Sequence, residues 1–285
     1  ILSHRLQGNQ EEVLKALESF LDRPLPPEWR SKALLEKGEI LLGLSRYPEA
    51  IESFQTLLSR FPSAETAVQA HYNLGWAYLR EGETEEAISE FQWVAQRASE
   101  VPLRVQAILR IGDLYQDQKA WAQAIEQYQR VLNEFPFALQ VDYAAHQIAL
   151  CHLGAKDYST AIRAYQNFLS TYATSRYWGQ AYYDLGLIHF HLGDFTSAKK
   201  AFEEVAASEP TEELRFSSRF QMGSCLYNLK DYAAALAIFQ EIAEKGPDRF
   251  AAMARYEMGW CFYQMGRRKE AVSSFQEYLS KYPES

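Results

Sequence analysis

The 285 residues are 47% hydrophobic and 14% aromatic, and their 29 Lys and Arg stand against 37 Asp and Glu for a formal net charge of −8. Apolar content at this level excludes an intrinsically disordered chain, and no apolar run approaches the roughly 20 residues that cross a bilayer. The charge supplies no basic stripe for phosphate neutralisation, which argues against nucleic acid as a partner. Residues 1–142 hold 14 basic against 21 acidic side chains, and residues 143–285 hold 15 against 16, so a basic partner has only the first half to meet. The clusters Glu81 to Glu90 and Arg267-Arg268-Lys269 read as solvated helix faces.

In chain order, the sequence opens on Ile1 with neither a basic leader nor a small-residue cleavage site, as a mature or excised piece of a longer protein would. GNQEEVLKALESFL from Gly8 aligns with GETEEAISEFQWVA from Gly82, which places Ile1 37 residues before Gly38 and predicts that the chain begins inside a helical hairpin turning near Gly8. Val13 then stands where later units have a buried alanine. LDRPLPPEWRSKA, residues 21–33, is the proline cluster, and the pattern crosses it without a shift, so it is predicted to be a stiff turn between helices.

From there one unit repeats. Small residues recur at Gly38, Gly75, Gly112, Ala149, Gly186, Gly223 and Gly259, in steps of 37 residues and a last step of 36. A second small residue follows each, at Ala50, Ala87, Ala124, Ala161, Ala198, Ala235 and Ala271, with an aromatic four residues later at Phe54, Phe91, Tyr128, Tyr165, Phe202, Phe239 and Phe275. Pro62, Pro136, Pro210, Pro247 and Pro283 close units, with Ser99 and Ala173 in that place elsewhere. YYDLGLIHFHLGDFTSAKKAFEEVAASEP, from Tyr182 to Pro210, shows the whole unit: two amphipathic helices joined around Gly193-Asp194, predicted to touch at Gly186 and Ala198. A lone hairpin cannot bury both its faces, so it stacks on its like. The predicted units lie near 1–25, 26–62, 63–99, 100–136, 137–173, 174–210, 211–247 and 248–285, in a single domain.

This order of small residue, aromatic, alanine, aromatic and proline resembles the tetratricopeptide repeat superfamily over nearly the whole length. The resemblance implies an all-α, right-handed superhelical solenoid of antiparallel helix hairpins, about seven full repeats after a truncated first one. The family's common period is three residues shorter, and the surplus lies between the proline and the next glycine, as in SAETAVQAHYNLG after Pro62. That predicts a first helix nearly one turn longer. The large aromatic that the family places four residues before the glycine is here Leu34, His71, Ile108, Ala145, Tyr182, Arg219 and Arg255. The family's carboxylate clamp asks for Lys three before the glycine and Asn one after it; no unit has that pair, so acidic peptide C-termini are not the expected ligand. The lengthened repeats and the turns Gly193-Asp194-Phe195, Lys156-Asp157-Tyr158 and Lys230-Asp231-Tyr232 are similar to those of bacterial envelope families of the BamD and CpoB kind. That similarity implies a periplasmic or outer-membrane-associated protein; a cytoplasmic one is the alternative.

Neither GxxxxGK, GxSxG nor HExxH occurs, so no enzyme and no cofactor is expected. His189 and His191 are two apart on a helix and point in divergent directions, while His152 and His189 share a repeat position, which favours packing over metal ligation. Cys151, Cys225 and Cys261 each lie two residues after the repeat's small residue, where Ile40, Ala77, Leu114 and Ile188 stand in other units. They are predicted to be buried free thiols, because stacked helices lie about 8 to 10 Å apart and a disulfide needs Cα atoms within about 7 Å.

The function expected is a non-enzymatic scaffold that binds a peptide or protein segment, with the selecting arm of a larger enzyme or an inert spacer as alternatives. Positions three before, one after and four after the glycine form one helix stripe, which the family resemblance places on an inner, concave wall. In the last three units it reads Tyr183, Leu187, Phe190; Phe220, Ser224, Tyr227; Tyr256, Trp260, Tyr263. The expected peptide-binding residues are Tyr183, Phe190, Phe220, Tyr227, Tyr256, Trp260 and Tyr263, and the expected ligand is an apolar, aromatic or proline-containing segment. Packing of these side chains against one another is the competing reading. The third unit offers Leu109, Asp113 and Gln116 instead.

Overall fold

The computed structural model describes residues 2–205 and 211–281, with side chains of the first helix from Gln10 onward. Ile1, Pro210 and Pro283, which the repeat reading uses, lie outside the described residues. Fifteen α-helices and no strand are present among the described residues. After α1 (Leu2–Leu21) come the hairpins α2 (Pro27–Gly43) with α3 (Tyr47–Arg60), α4 (Ala67–Glu81) with α5 (Thr84–Arg97), and α6 (Val101–Asp117) with α7 (Trp121–Glu134). Then follow α8 (Val141–Gly154) with α9 (Tyr158–Thr171), α10 (Trp178–His191) with α11 (Phe195–Val205), α12 (Glu212–Asn228) with α13 (Tyr232–Lys245), and α14 (Asp248–Gln264) with α15 (Arg268–Lys281). The chain forms two compact units, Ile1–Ala144 and Ala145–Ser285.

Within each hairpin the repeated glycine is the seat of a ring. A Cβ placed on Gly75, Gly112, Gly186, Gly223 or Gly259 would stand 2.9, 2.7, 2.6, 2.7 or 2.5 Å from Phe91, Tyr128, Phe202, Phe239 or Phe275 of the second helix. The helices thus meet at the repeated small residue, as the sequence predicts, and Gly186 shows what makes the contact: Phe202 of the second helix lies against it. The bare glycine backbone admits the aromatic four residues beyond the alanine, and Phe54, Phe91, Tyr128 and Phe239 are fully buried there. Burying such a side chain contributes about 1.5 to 3 kcal/mol. In α4, α6 and α10 a second stripe covers the preceding second helix: Ala70 and Leu74 in α4, Ala107, Ile111 and Leu114 in α6, Ala181, Leu185 and Ile188 in α10, all buried.

The hairpin turns are alike. Ser45, Gly82, Lys119, Lys156, Gly193, Lys230 and Gly266 all have φ between 59 and 86°, seven residues after the seat position. The next amide donates back to the carbonyl five residues earlier, as Glu83 N to Tyr78 O at 2.9 Å and Asp194 N to His189 O at 2.9 Å, the bond that closes a helix through a left-handed residue. Asp157, Asp194 and Asp231 cap the second helices, accepting from the amides of Thr160, Ser197 and Ala234 at 3.1 Å each. These bonds hold the Asp157 and Asp194 carboxyls below their ordinary range. Their register mates His152 and His189 place Nδ1 at 3.9 and 3.5 Å from the same carboxylates.

Two expectations change. The surplus of three residues lengthens α2, α6, α12 and α14 to 17 residues each, whereas before α4, α8 and α10 it becomes a turn. There paired bonds, such as Ala64 N to Phe61 O at 3.1 Å and Ala67 N to Ala64 O at 2.9 Å, precede a helix of 14 or 15 residues. Nor does the chain turn at Gly8: α1 runs unbroken through it. A glycine inside a helix costs only about 1 kcal/mol, which α1 accepts here. Leu14, at 2% exposure, takes the core place, and Val13 is exposed. The 21–33 segment is a tied turn, as expected: Arg30 Nη2 donates to Leu21 O at 3.0 Å and Arg23 O at 2.9 Å.

Where the seated ring is a tyrosine, its phenol needs an acceptor inside the protein. Tyr128 Oη donates to Asp113 Oδ1 and shares Gln116 Oε1, both at 2.9 Å. In the other unit, Tyr165 Oη donates to Asp184 Oδ2 at 3.1 Å, and Gln180 Nε2 donates to Oδ1 at 2.8 Å. His146 Nε2 lies 3.8 Å from the same carboxylate. Asp184 is 6% exposed, and burial pushes its carboxyl up to about 6, against the two hydrogen bonds that lower it.

Gly223→Ala should lower stability by about 1 to 2 kcal/mol in chemical denaturation, because the new methyl must displace the buried Phe239 ring and this outweighs the gain in helix propensity. The unit built on Ala149 shows that a methyl there is tolerated, so the variant still folds. Cys151, Cys225 and Cys261 are buried thiols outside any disulfide, and burial pushes the Cys225 and Cys261 thiols up to about 12. A thiol reagent should therefore count three cysteines quickly only after denaturation, with no mass shift on reduction. Folding favours the protonated form of Asp184, so its contribution is complete below about pH 4 and is lost as pH rises through about 6. Each unit of such a shift is worth about 1.4 kcal/mol. Asp184→Asn should flatten the fall in denaturation midpoint between pH 4.5 and pH 7 relative to the parent; an unchanged slope would remove Asp184 as its source.

Candidate functional site

The seven aromatic residues read from the sequence all lie in the unit Ala145–Ser285, on α10, α12 and α14. They divide by burial. Tyr183, Phe190, Phe220 and Tyr227 are half-buried, while Tyr256, Trp260 and Tyr263 are 40%, 37% and 54% exposed. Residues three before the glycine sit about 60° from it around the helix, so they lean on the seated ring. Ring centres are 5.6 Å apart for Tyr183 and Phe202, 5.4 Å for Phe220 and Phe239, and 5.7 Å for Tyr256 and Phe275. Residues four after the glycine meet the start of the second helix, Phe190 against Phe195 at 5.2 Å and Tyr227 against Tyr232 at 5.3 Å. The Tyr183 phenol is pushed upward by burial and is bonded to Ser217 and Gln221, which oppose that shift. Gln264 Nε2 donates to Tyr227 Oη at 3.2 Å at an exposed position.

The exposed rings converge at one place. Tyr256, Trp260, Phe275, Tyr278 and Leu279 line a cleft of about 580 Å³ between α14 and α15. Tyr256 is 5.5 Å from Tyr278 and 6.3 Å from Trp260, and Trp260 is 5.9 Å from Tyr263, all between ring centres. Tyr278 and Leu279 were not foreseen. The available signal was Tyr278's place seven residues after Ala271, where the other hairpins put Leu57, Val94, Val131, Phe168, Val205 and Ile242. Those six are at most 1% exposed, whereas Tyr278 is half-buried, and Leu279 beside it is 57% exposed.

The unit Ile1–Ala144 carries a more polar stripe. Leu109 is buried, and Asp113 is held by the phenols of Tyr128 and Tyr143 at 2.9 and 2.7 Å and by Arg110 at 3.0 Å. Burial pushes the Asp113 carboxyl up against those bonds. Tyr72 and Trp76, half-buried, occupy the places of Tyr256 and Trp260 in this unit. A second cleft, of about 560 Å³, runs from Pro27 and Ser31 to Phe61 and Thr66 and lacks a cluster of rings. Among the described residues no group of three His, Cys, Asp or Glu side chains is placed to hold a metal ion. No helix among them is long and apolar enough to cross a membrane.

The family model described as tetratricopeptide repeat matches residues 14–65, 35–100 and 72–138, and that of the tetratricopeptide repeat-like domain matches residues 140–285. No curated protein matches the sequence at a significant level. Among solved structures, the apo form of RapI aligns with a TM-score of 0.66 at 14% identity, over 99% of this chain and 87% of that one. A tetratricopeptide repeat protein from Parabacteroides merdae gives 0.57 at 16% identity, over 88% and 92%. The apo form of the quorum sensor NprR from B. thuringiensis gives 0.54 at 12% identity, over 98% and 83%. Identities this low speak for the fold alone. With matched segments running from residue 14 to residue 285 and a glycine seating a ring in hairpin after hairpin, the chain belongs to the tetratricopeptide repeat family, whose repeats serve as scaffolds for protein–protein interaction.

Proposed function

We propose that the chain is a non-enzymatic scaffold that holds a protein or peptide segment along Tyr183, Phe190, Phe220, Tyr227, Tyr256, Trp260 and Tyr263. The observation that carries this reading is the cleft between α14 and α15, bordered by Tyr256 and Trp260, with Tyr263 beside Trp260; the three stay 37 to 54% exposed although each has ring neighbours. Large amphipathic rings that are half wet suit a surface that accepts an apolar or proline-containing segment, since they supply area at little cost in side-chain entropy. Tyr183 and Phe220 brace the wall by leaning on the seated rings, and Phe190, Tyr227, Trp260 and Tyr263 present it. The repeat's length and its capped Asp turns favour a place in the assembly of a bacterial envelope complex. Burial of the three thiols suits an oxidising compartment, because buried cysteines are protected from oxidation.

Tyr227→Ala and Trp260→Ala should each weaken partner capture by about 1 to 3 kcal/mol while leaving the melting temperature nearly unchanged. Tyr183→Ala and Phe220→Ala, in contrast, should lower the melting temperature first. Sharp destabilisation by Tyr227→Ala and Trp260→Ala, with undiminished capture by the protein that remains folded, would make these rings core and end the groove reading.

A further inference from the structure

Two neighbouring joints between hairpins of the unit Ala145–Ser285 share one contact. The residue three before the repeat's small residue in one hairpin meets the residue two before it in the next. Where α10 joins α12 both are neutral: the Tyr183 hydroxyl is bonded to Gln221, with Ser217 as a further partner. Where α8 joins α10 the same places hold His146 and Asp184, both buried, with His146 Nε2 3.8 Å from Asp184 Oδ2. Gln180, in Ser217's place, donates to Oδ1 at 2.8 Å, and the Tyr165 hydroxyl donates to Oδ2 at 3.1 Å. One joint closes with neutral groups, the other with an acid and a base.

Rings enclose the acid and base. The imidazole is stacked on Tyr177, 5.2 Å between ring centres at 17°, and meets Tyr165 and Phe168 edge on at 6.0 and 5.5 Å. Of the titratable groups around the pair, Tyr165 comes from α9, with Cys151 of α8 acting on its phenol; Tyr183 adjoins Asp184 on α10, and Tyr177 caps that helix. A fixed charge, the Arg176 guanidinium, lies 4.7 Å from the centre of the Tyr177 ring. Burial and the Asp184 charge push the Tyr165 and Tyr183 phenols upward, so neither titrates near neutrality. Holding one proton, the pair is neutral overall whichever member carries it. Losing that proton leaves a negative charge among rings, where an ion is costly.

We propose that His146 and Asp184 form a proton-operated latch between the hairpin α8–α9 and the hairpin α10–α11. With one proton on the pair, α10 is held against α9; with none, this joint loosens while the neutral joint of α10 with α12 keeps its packing. The latch belongs to the fold and stands apart from the groove reading.

Hydrogen exchange of the full chain, followed by mass spectrometry between pH 5 and pH 8 and corrected for the intrinsic exchange rate, reads the joints segment by segment. Protection of peptides from α9 and α10 should fall about tenfold over that range, which is what linkage gives for a carboxyl moved from 3.8 to about 6. Peptides from α12 and α13 should keep their protection. His146→Phe keeps a ring in place but removes one site for the proton, and should move the midpoint of the fall to lower pH. The double variant His146→Tyr with Asp184→Gln rebuilds the Tyr183–Gln221 contact and should abolish the fall. If that variant does not fold, Asp184→Asn, which keeps a carbonyl for Tyr165, should abolish it instead. Equal protection at pH 5 and pH 8, a fall shared by α12 and α13, a midpoint that does not move down in His146→Phe, or a fall that persists without the carboxylate would each overturn the latch.

Discussion

A ring seated on bare backbone sets the geometry of the hairpins built on glycine. Because glycine has no Cβ, the first helix can accept Phe or Tyr from the second helix at distances where a methyl would collide, and close packing makes that contact specific. The contact fixes how near the helices approach and how they are rotated about their axes. It thereby decides which side chains of the first helix face the ring, which face the preceding hairpin, and which remain for function. Tyr183, Phe220 and Tyr256 touch the seated ring at nearly one distance. The stripe assigned to binding is thus built outward from the packing contact.

The phenol variants of the ring show what this position imposes. A buried hydroxyl without a partner costs roughly 1 to 3 kcal/mol, so Tyr128 and Tyr165 each require an acceptor, and in each case a carboxylate supplies it. Asp113 comes from the same hairpin as its tyrosine and Asp184 from the next one. Meeting that need has a consequence for the stripe. Asp113, one residue after its glycine, is held by two phenols and a guanidinium, so the third unit's wall is committed to internal hydrogen bonds where the last unit has Trp260 free to face a cleft.

Much of the fold was legible because the glycine, alanine and aromatic recur at one spacing, and a repeated spacing survives variation at any single unit. The depth of the contact was not legible, since a list of small residues does not say whether they meet each other or receive a ring. Gly8 misled for a related reason: its alignment with Gly82 is real in sequence, but a single glycine does not end a helix, and α1 runs through it. A stripe read from spacing does not say which of its residues lean on the seated ring and which stay open. Tyr183, Phe220 and Tyr256 all lean on a seated ring, yet Tyr256 stays 40% exposed, so the angle around the helix does not by itself set exposure. Tyr278 escaped notice because it lies on a second helix, at a position that packing buries in the other hairpins.

The trios Tyr72, Trp76, Phe91 and Tyr256, Trp260, Phe275 separate residue type from exposure. Their internal distances agree to within 0.3 Å, yet Trp76 is half-buried under a guanidinium and Trp260 borders open space. What differs is the helix laid against the second helix of the hairpin: α6 on α5 in one case, and in the other, among the described residues, only α14 packed on α15. The same three rings thus serve as packing where a following helix supplies the apolar stripe and the cation. In a stacked array each joint between hairpins is a recognition event between an aromatic-rich face and an amphipathic helix, and the chemistry that joins repeats within the chain is the chemistry an exposed face offers to another protein.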